Sequence, residues 1–122
     1  MSVDTTSSVV TSSAGTVSVA HDGDVALLRV SGALDLALAP KLAQLVDRAL
    51  RREPALVVVD LTDVDFLASA GMATLVRVHR QSPPARLHVV ADSPITMRPL
   101  EMTRLTDELV VYSTLAAALA RR

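Results

Sequence analysis

The segment that most constrains the fold is Ala55-Leu-Val-Val-Val, an apolar run without alternation that stops at Asp60. A strand with one wet face alternates apolar and polar residues. A strand that does not must be covered on both faces, as in the middle of a parallel sheet flanked by helices. The flanking sequence supplies those helices. Over residues 36–52, Leu38, Leu42, Leu45, Val46, Ala49 and Leu50 recur at three- and four-residue intervals around Lys41, Gln44, Asp47 and Arg48, the pattern of an amphipathic helix with Pro40 in its first turn. A second helix is expected from Ser69 to about Arg80, with Met72, Leu75 and Val76 inward and Arg77 and Arg80 outward, before Ser82-Pro-Pro breaks it.

The rest of the chain extends the pattern. Thr16-Val-Ser-Val-Ala and Val25-Ala-Leu-Leu-Arg-Val flank an Asp-Gly turn and predict an opening β-hairpin, with Gly32 ending its second strand. Arg86-Leu-His-Val-Val predicts a strand. Residues 94–105 predict a helix capped by Ser93 with Pro94 at its first position, Leu109-Val-Val-Tyr a last strand, and the Ala-rich stretch after Ser113 and Thr114 a short closing helix. The expected fold is therefore α/β: a single domain with an opening β-hairpin, then alternating helices and strands, giving a mostly parallel central sheet with helices packed against it. Residues 1–15, rich in Ser, Thr and Val, are expected to be a flexible arm, and residues 16–122 the domain.

Several functions are disfavoured at once. With one Phe, one Tyr and no Trp there are few rings on which bases could stack, and a net charge of -1 offers no basic groove, so nucleic acid is not an expected partner. The absence of cysteine removes disulfides, thiolate catalysis and Cys-based zinc sites. His21, His79 and His88 lack paired ligand spacing, so no metal is expected. No apolar run approaches the length of a membrane span, and the first residues do not resemble a secretion signal; the expected location is cytoplasmic, without membrane contact.

In open α/β sheets, partners and ligands meet the loops after the strands' carboxyl ends. The stretch Leu61-Thr-Asp-Val-Asp-Phe-Leu-Ala-Ser-Ala-Gly71 is read as such a turn, with Ser69 at the start of the second helix. Ser69 has two readings. It is a helix N-cap whose hydroxyl accepts from a first-turn amide, or it is a modification site, where a phosphoryl group would face free amides and the positive end of the helix dipole. A hydrolase elbow would need glycine two residues before the serine, where Leu67 stands, and a histidine base that the sequence does not place. Asp60, Asp63 and Asp65 lack the lysine that an aspartyl-phosphate site needs late in the chain, since the sole lysine is Lys41, and they are read as turn formers. No enzymatic activity is expected.

Val58-Val-Asp-Leu-Thr-Asp-Val-Asp-Phe-Leu-Ala-Ser-Ala-Gly-Met72 resembles the signature of STAS domains in bacterial anti-sigma-factor antagonists, where a strand and a Phe lead into an Asp-Ser-Ser-Gly-Leu type turn. Val30-Ser-Gly-Ala-Leu-Asp35 is similar to the family's Gly-Glu-Leu-Asp turn, and Ser93-Pro94 to the start of its penultimate helix. The family's acidic residue before the phosphorylated serine falls on Ala68, and its second serine on Ala70.

The resemblance implies partner switching. The unmodified protein captures an anti-sigma factor with serine kinase activity and frees a sigma factor, phosphorylation at Ser69 releases the partner, and a serine phosphatase resets the switch. It also implies a partner-binding surface of Asp35, Ala68, Ala70, Gly71, Met72 and Arg77. Asp35 has an equally simple reading as a capping residue for the first helix. Nucleotide and magnesium would belong to the kinase, so no cofactor is expected, and the chain would be a monomer or weak dimer. The alternative, favoured by Ala68, is a non-phosphorylated scaffold or small-ligand sensor subunit of a regulatory complex.

Overall fold

The computed structural model of the chain describes residues 7–11 and 15–120. Six strands form one sheet in sequence order: β1 (Ser7–Thr11), β2 (Gly15–Asp22), β3 (Val25–Leu34), β4 (Leu56–Leu67), β5 (Arg86–Val90) and β6 (Val110–Tyr112). The first three are antiparallel neighbours, and β3 to β6 run parallel. The helices are α1 (Ala39–Leu50), α2 (Ser69–Gln81), α3 (Pro94–Met102) and α4 (Leu115–Ala120), with a 3₁₀ turn at Leu105–Asp107.

This order explains where the helices lie. Each crossover from β3 onward moves one strand further in the same direction, and right-handed crossovers that step the same way place their helices on one face. Leu42, Leu45 and Val46 of α1, Leu75 and Val78 of α2 and Leu100 of α3 accordingly share one core with Val17, Leu28, Val57, Val59 and Val89 of the sheet. α4 follows the last strand and returns over the other face, where Ala118 packs with Val25, Leu56, Val58 and Val90. The apolar run is covered on both sides as expected, its four residues Leu56 to Val59 alternating between the two cores at 1 % exposure or less.

Local chemistry fixes the ends. In the β2–β3 hairpin, Asp22 pairs with Val25 across a two-residue loop whose first residue, Gly23, has φ +59°, a conformation glycine adopts without steric cost. α1 starts later than the expected residue 36, because the Asp35 carboxylate ties off the turn before it. α3 ends at Met102, three residues before expectation, and Arg104 then turns left-handed at φ +62°. Thr114 accepts a bond from Ala117 N at 3.1 Å and so caps α4.

Three segments differ from the sequence reading. Within the expected flexible arm, residues 7–11 form edge strand β1, Val9 opposite Ser18; backbone pairing holds a Ser/Thr/Val segment that has few apolar residues to bury. Gly15, the last residue of the expected arm, opens β2, and residues 1–6 and 12–14 lie outside the described ones. β3 does not end at Gly32, which at φ +75° lies at a register shift, and continues to Leu34. β4 does not stop at Asp60, so the predicted turn over residues 61–67 is strand.

Candidate partner-binding site

The site is built by the far half of β4. From Arg29 to Leu34, β3 advances five residues while β4 advances seven, from Asp60 to Leu67, with register shifts between Arg29 and Ser31 and between Gly32 and Ala33. Each extra residue on β4 is a bulge, which bends the strand and re-aims its side chains. Buried positions therefore recur every third residue, at Leu61, Val64 and Leu67, instead of every second. The strand delivers Ala68 to the end of β3, where Ala68 N donates to Leu34 O at 3.1 Å.

That bond decides how α2 begins. Ala68 is extended (φ -82°, ψ 164°), occupies the cap position and accepts at its carbonyl from Met72 N at 3.1 Å. Ser69 is consequently the first residue inside the helix, and the expectation that its hydroxyl caps α2 is not met. The side chain is exposed, and among the described residues its hydroxyl makes no hydrogen bond. The first turn carries no acidic residue, so the positive end of the helix dipole and the free amides of that turn are left without a carboxylate partner.

Gly71 sets how closely that turn docks. A Cβ there would lie 2.6 Å from Leu34 O and 2.8 Å from Leu34 Cγ, so the helix approaches β3 at a distance only glycine permits. Ala70 is half-buried beside it. Met72 is half-buried against the main core, and its sulfur lies 3.7 Å from Thr103 Oγ1, which brings the end of α3 against the first turn of α2 while the Thr103 hydroxyl donates to Pro99 O at 2.7 Å.

Asp35 immediately follows Leu34. Its Oδ1 accepts from Ala37 N at 3.1 Å and Leu38 N at 3.0 Å, and its carbonyl from Ala39 N at 2.9 Å. The cap position of α1 is thus Leu38 and not Asp35, whose carboxylate instead closes the turn just before the helix, and the same tie fixes the loop beside the Ser69 turn. Arg77 is not part of this cluster. Two helical turns on from Ser69, or about 12 Å along the axis, it lines the groove between α1 and α2 with Gln44 and Asp47. The structure brings Asp35, Ala68, Ser69, Ala70, Gly71 and Met72 together and leaves Arg77 apart.

The sequence reading gave no role to several large apolar side chains that the structure leaves uncovered. Leu36 after β3 (78 % exposed), Phe66 near the end of β4 (55 %), Ile95 in the first turn of α3 (50 %) and Met102 at its end (78 %) are large and uncovered. Of these only Leu36 carried a signal in the sequence, as a bulky apolar residue in the connection after a strand's carboxyl end; Phe66 lies within β4, and Ile95 and Met102 within α3.

Asp60 accepts from Thr62 N at 2.9 Å and from the Thr62 hydroxyl, a local turn-like bond, and no cluster of three metal-ligating side chains occurs among the described residues. His21 is buried in β2, where desolvation holds its imidazole below the usual range. Among the described residues no helix is long and apolar enough to cross a membrane.

Residues 16–118 match the STAS domain. The chain is 32 % identical over 105 residues to the anti-sigma-F factor antagonist RsfB of Mycobacterium tuberculosis, covering 85 % of this chain and 86 % of that protein. The chain belongs to the STAS domain family. Among solved structures, this STAS domain resembles an anti-sigma factor antagonist from Mycobacterium paratuberculosis (TM-score 0.79, 29 % identity, 98 % and 97 % of the two chains). The fold, though little of the sequence, is shared with the anti-sigma factor antagonist SpoIIAA in its unphosphorylated form (TM-score 0.68, 13 % identity, 95 % of each chain). The stretch from Val58 to Met72 spans the last three residues of the regular half of β4, its bulged half and the first turn of α2.

Proposed function

We propose that this chain is an anti-sigma-factor antagonist: a binding protein, not a catalyst, that captures a kinase-type anti-sigma factor in the cytoplasm and is switched off by phosphorylation at Ser69. The observation that carries the reading is the exposed Ser69 hydroxyl on the first turn of α2, unbonded among the described residues, with Phe66 uncovered three residues before it and Leu36 uncovered just after Asp35. The apolar side chains supply area for a partner. A phosphoryl group on Ser69 would add a charge of about -1.5 to -2 in the middle of that contact, while the free amides of α2 would stabilise it in the released state. Ala68, Ala70 and Gly71 keep the surface around the hydroxyl low, and Asp35 both fixes the adjacent loop and presents its second carboxylate oxygen to a partner. A serine phosphatase completes the cycle.

The test is intact-mass analysis with site mapping after incubation with ATP, magnesium and candidate kinase-type anti-sigma factors, alongside binding measurements on Ser69→Ala and Ser69→Asp. A single phosphoryl group at Ser69, lost in the alanine variant, and binding weakened by about 2–5 kcal/mol in the aspartate variant are expected. Equal affinity of the wild type and the aspartate variant would overturn the switch. The feature favouring a second reading is Ala68, which leaves the hydroxyl without a neighbouring carboxylate. Binding retained with no modification by any partner would make the chain an unswitched antagonist or scaffold.

A further inference from the structure

At the opposite end of α2 from Ser69, the last turn of that helix, the start of β5, strand β6 and the end of α4 enclose a cleft of about 640 Å³. Small-molecule sites occupy roughly 300–1,000 Å³. The opening has a topological cause. β6 has three residues, and its first, Val110, already stands opposite His88, so Arg86 and Leu87 of β5 have no strand neighbour on that side.

The chemistry of the wall is one-sided. His79, Arg86, His88 and Tyr112 supply its polar groups, and among the described residues no carboxylate lines it. Arg86 is exposed and makes no ion pair among the described residues. His88 is buried, with Nδ1 2.9 Å from the carbonyl of Ala118; a carbonyl can only accept, so Nδ1 carries the proton and Nε2 is the ring's remaining polar atom. Its ring lies 4.9 Å from that of Tyr112 at 56°. His79 adds an imidazole whose covered Nδ1 has no hydrogen-bond partner among the described residues. Leu87 and Val110 supply apolar surface.

Among the described residues a cation finds no counter-charge here, and a bare inorganic anion would leave the apolar wall unused. An unpaired guanidinium is the side chain best suited to holding a carboxylate through two parallel bonds. We propose that this cleft binds a small organic acid, its carboxylate on Arg86 and its apolar body against Leu87, Val110 and the Tyr112 ring. The site is independent of the Ser69 surface and stands or falls separately from the partner-switching reading.

The test is an amide chemical-shift titration of the ¹⁵N-labelled chain with sodium benzoate, with benzamide and inorganic phosphate as comparison probes, on the wild type and on Arg86→Gln. Saturable shifts are expected for benzoate at Leu87, His88 and Val110, with affinity lower by about tenfold or more for benzamide and for Arg86→Gln. Absence of saturable shifts at these residues, or benzamide binding as tightly as benzoate, would overturn the proposal. Phosphate binding as tightly as benzoate would remove the role given to the apolar wall. Arg86 is exposed, so the glutamine variant is expected to keep the wild-type spectrum elsewhere, which separates loss of the site from loss of the fold.

Discussion

β4 is one strand with two halves that obey different rules. From Leu56 to Asp60 it pairs residue for residue with β3 on one side and β5 on the other, and its side chains alternate between two cores. From Leu61 to Leu67 it keeps only β3 as a strand neighbour, carries two bulges and buries every third residue. The near half holds the domain together. The far half spends regularity to aim the chain: its bulges deliver Ala68 to Leu34 O and leave Ser69 at the start of α2, facing outward. Stability and display are thus divided along a single strand, and substitutions in the two halves should fail in different ways.

The largest effect is expected in the near half. Val58 is fully buried between β3 and β5 under α4. Val58→Asp would place a carboxylate there without a partner, costing about 3–5 kcal/mol, a large share of the 5–15 kcal/mol that a domain typically has. Chemical denaturation should show a loss of that size or an unfolded chain. Stability within about 1 kcal/mol of wild type would mean that the near half is not the structural half.

At the junction, two terms oppose each other in Gly71→Ala. Alanine favours a helix by up to about 1 kcal/mol over glycine, but a Cβ 2.6 Å from Leu34 O forces backbone apart, which costs about 1–3 kcal/mol. The contacting atom is a carbonyl oxygen that also accepts from Ala68 N, so it cannot swing aside without breaking the bond that starts α2. The clash is expected to win, with a net loss of about 1–2 kcal/mol by denaturation, and with amide shifts at Leu34, Ala68 and Ser69. A stabilised variant would mean that the turn is free to move.

The same division explains what the sequence could convey. Leu56 to Val59 could be read because an apolar run buried on both faces has one common solution, and α1 and α2 because their apolar positions keep helical spacing. Leu61, Val64 and Leu67 could not, because a three-residue interval with polar residues between is neither strand period nor a helix long enough to recognise, and bulges depend on pairing with β3 that local sequence does not encode. Residues 7–11 escaped for a related reason, since their ladder to β2 is a pairing that the local Ser/Thr/Val pattern does not encode. At the site, Ser69 was found by its place before a helical pattern. Its exact role in the helix start was not, because the cap is decided by the bond from Ala68 to Leu34, residues distant in sequence. Arg77 was grouped with Ser69 because both were expected on the exposed side of the second helix, and eight residues of helix carry it away.

The smallest effect on stability, and the sharpest on function, is expected at Phe66 in the far half. It is more than half exposed, so Phe66→Ser removes little buried area and should shift stability by no more than about 0.5 kcal/mol. A large apolar side chain left uncovered next to the residue pair that leads into α2 gains nothing for the isolated chain. If its purpose is to be covered by a partner, truncation should weaken binding of an anti-sigma factor by about 1–2 kcal/mol, five- to thirtyfold, because aromatic residues dominate the energetics of such contacts. Calorimetric unfolding and titration on the same preparation separate the two quantities. Unchanged affinity with unchanged stability would move the partner surface away from β4, towards Leu36 and Met102; a stability loss as large as that of Val58→Asp would abolish the distinction between the two halves.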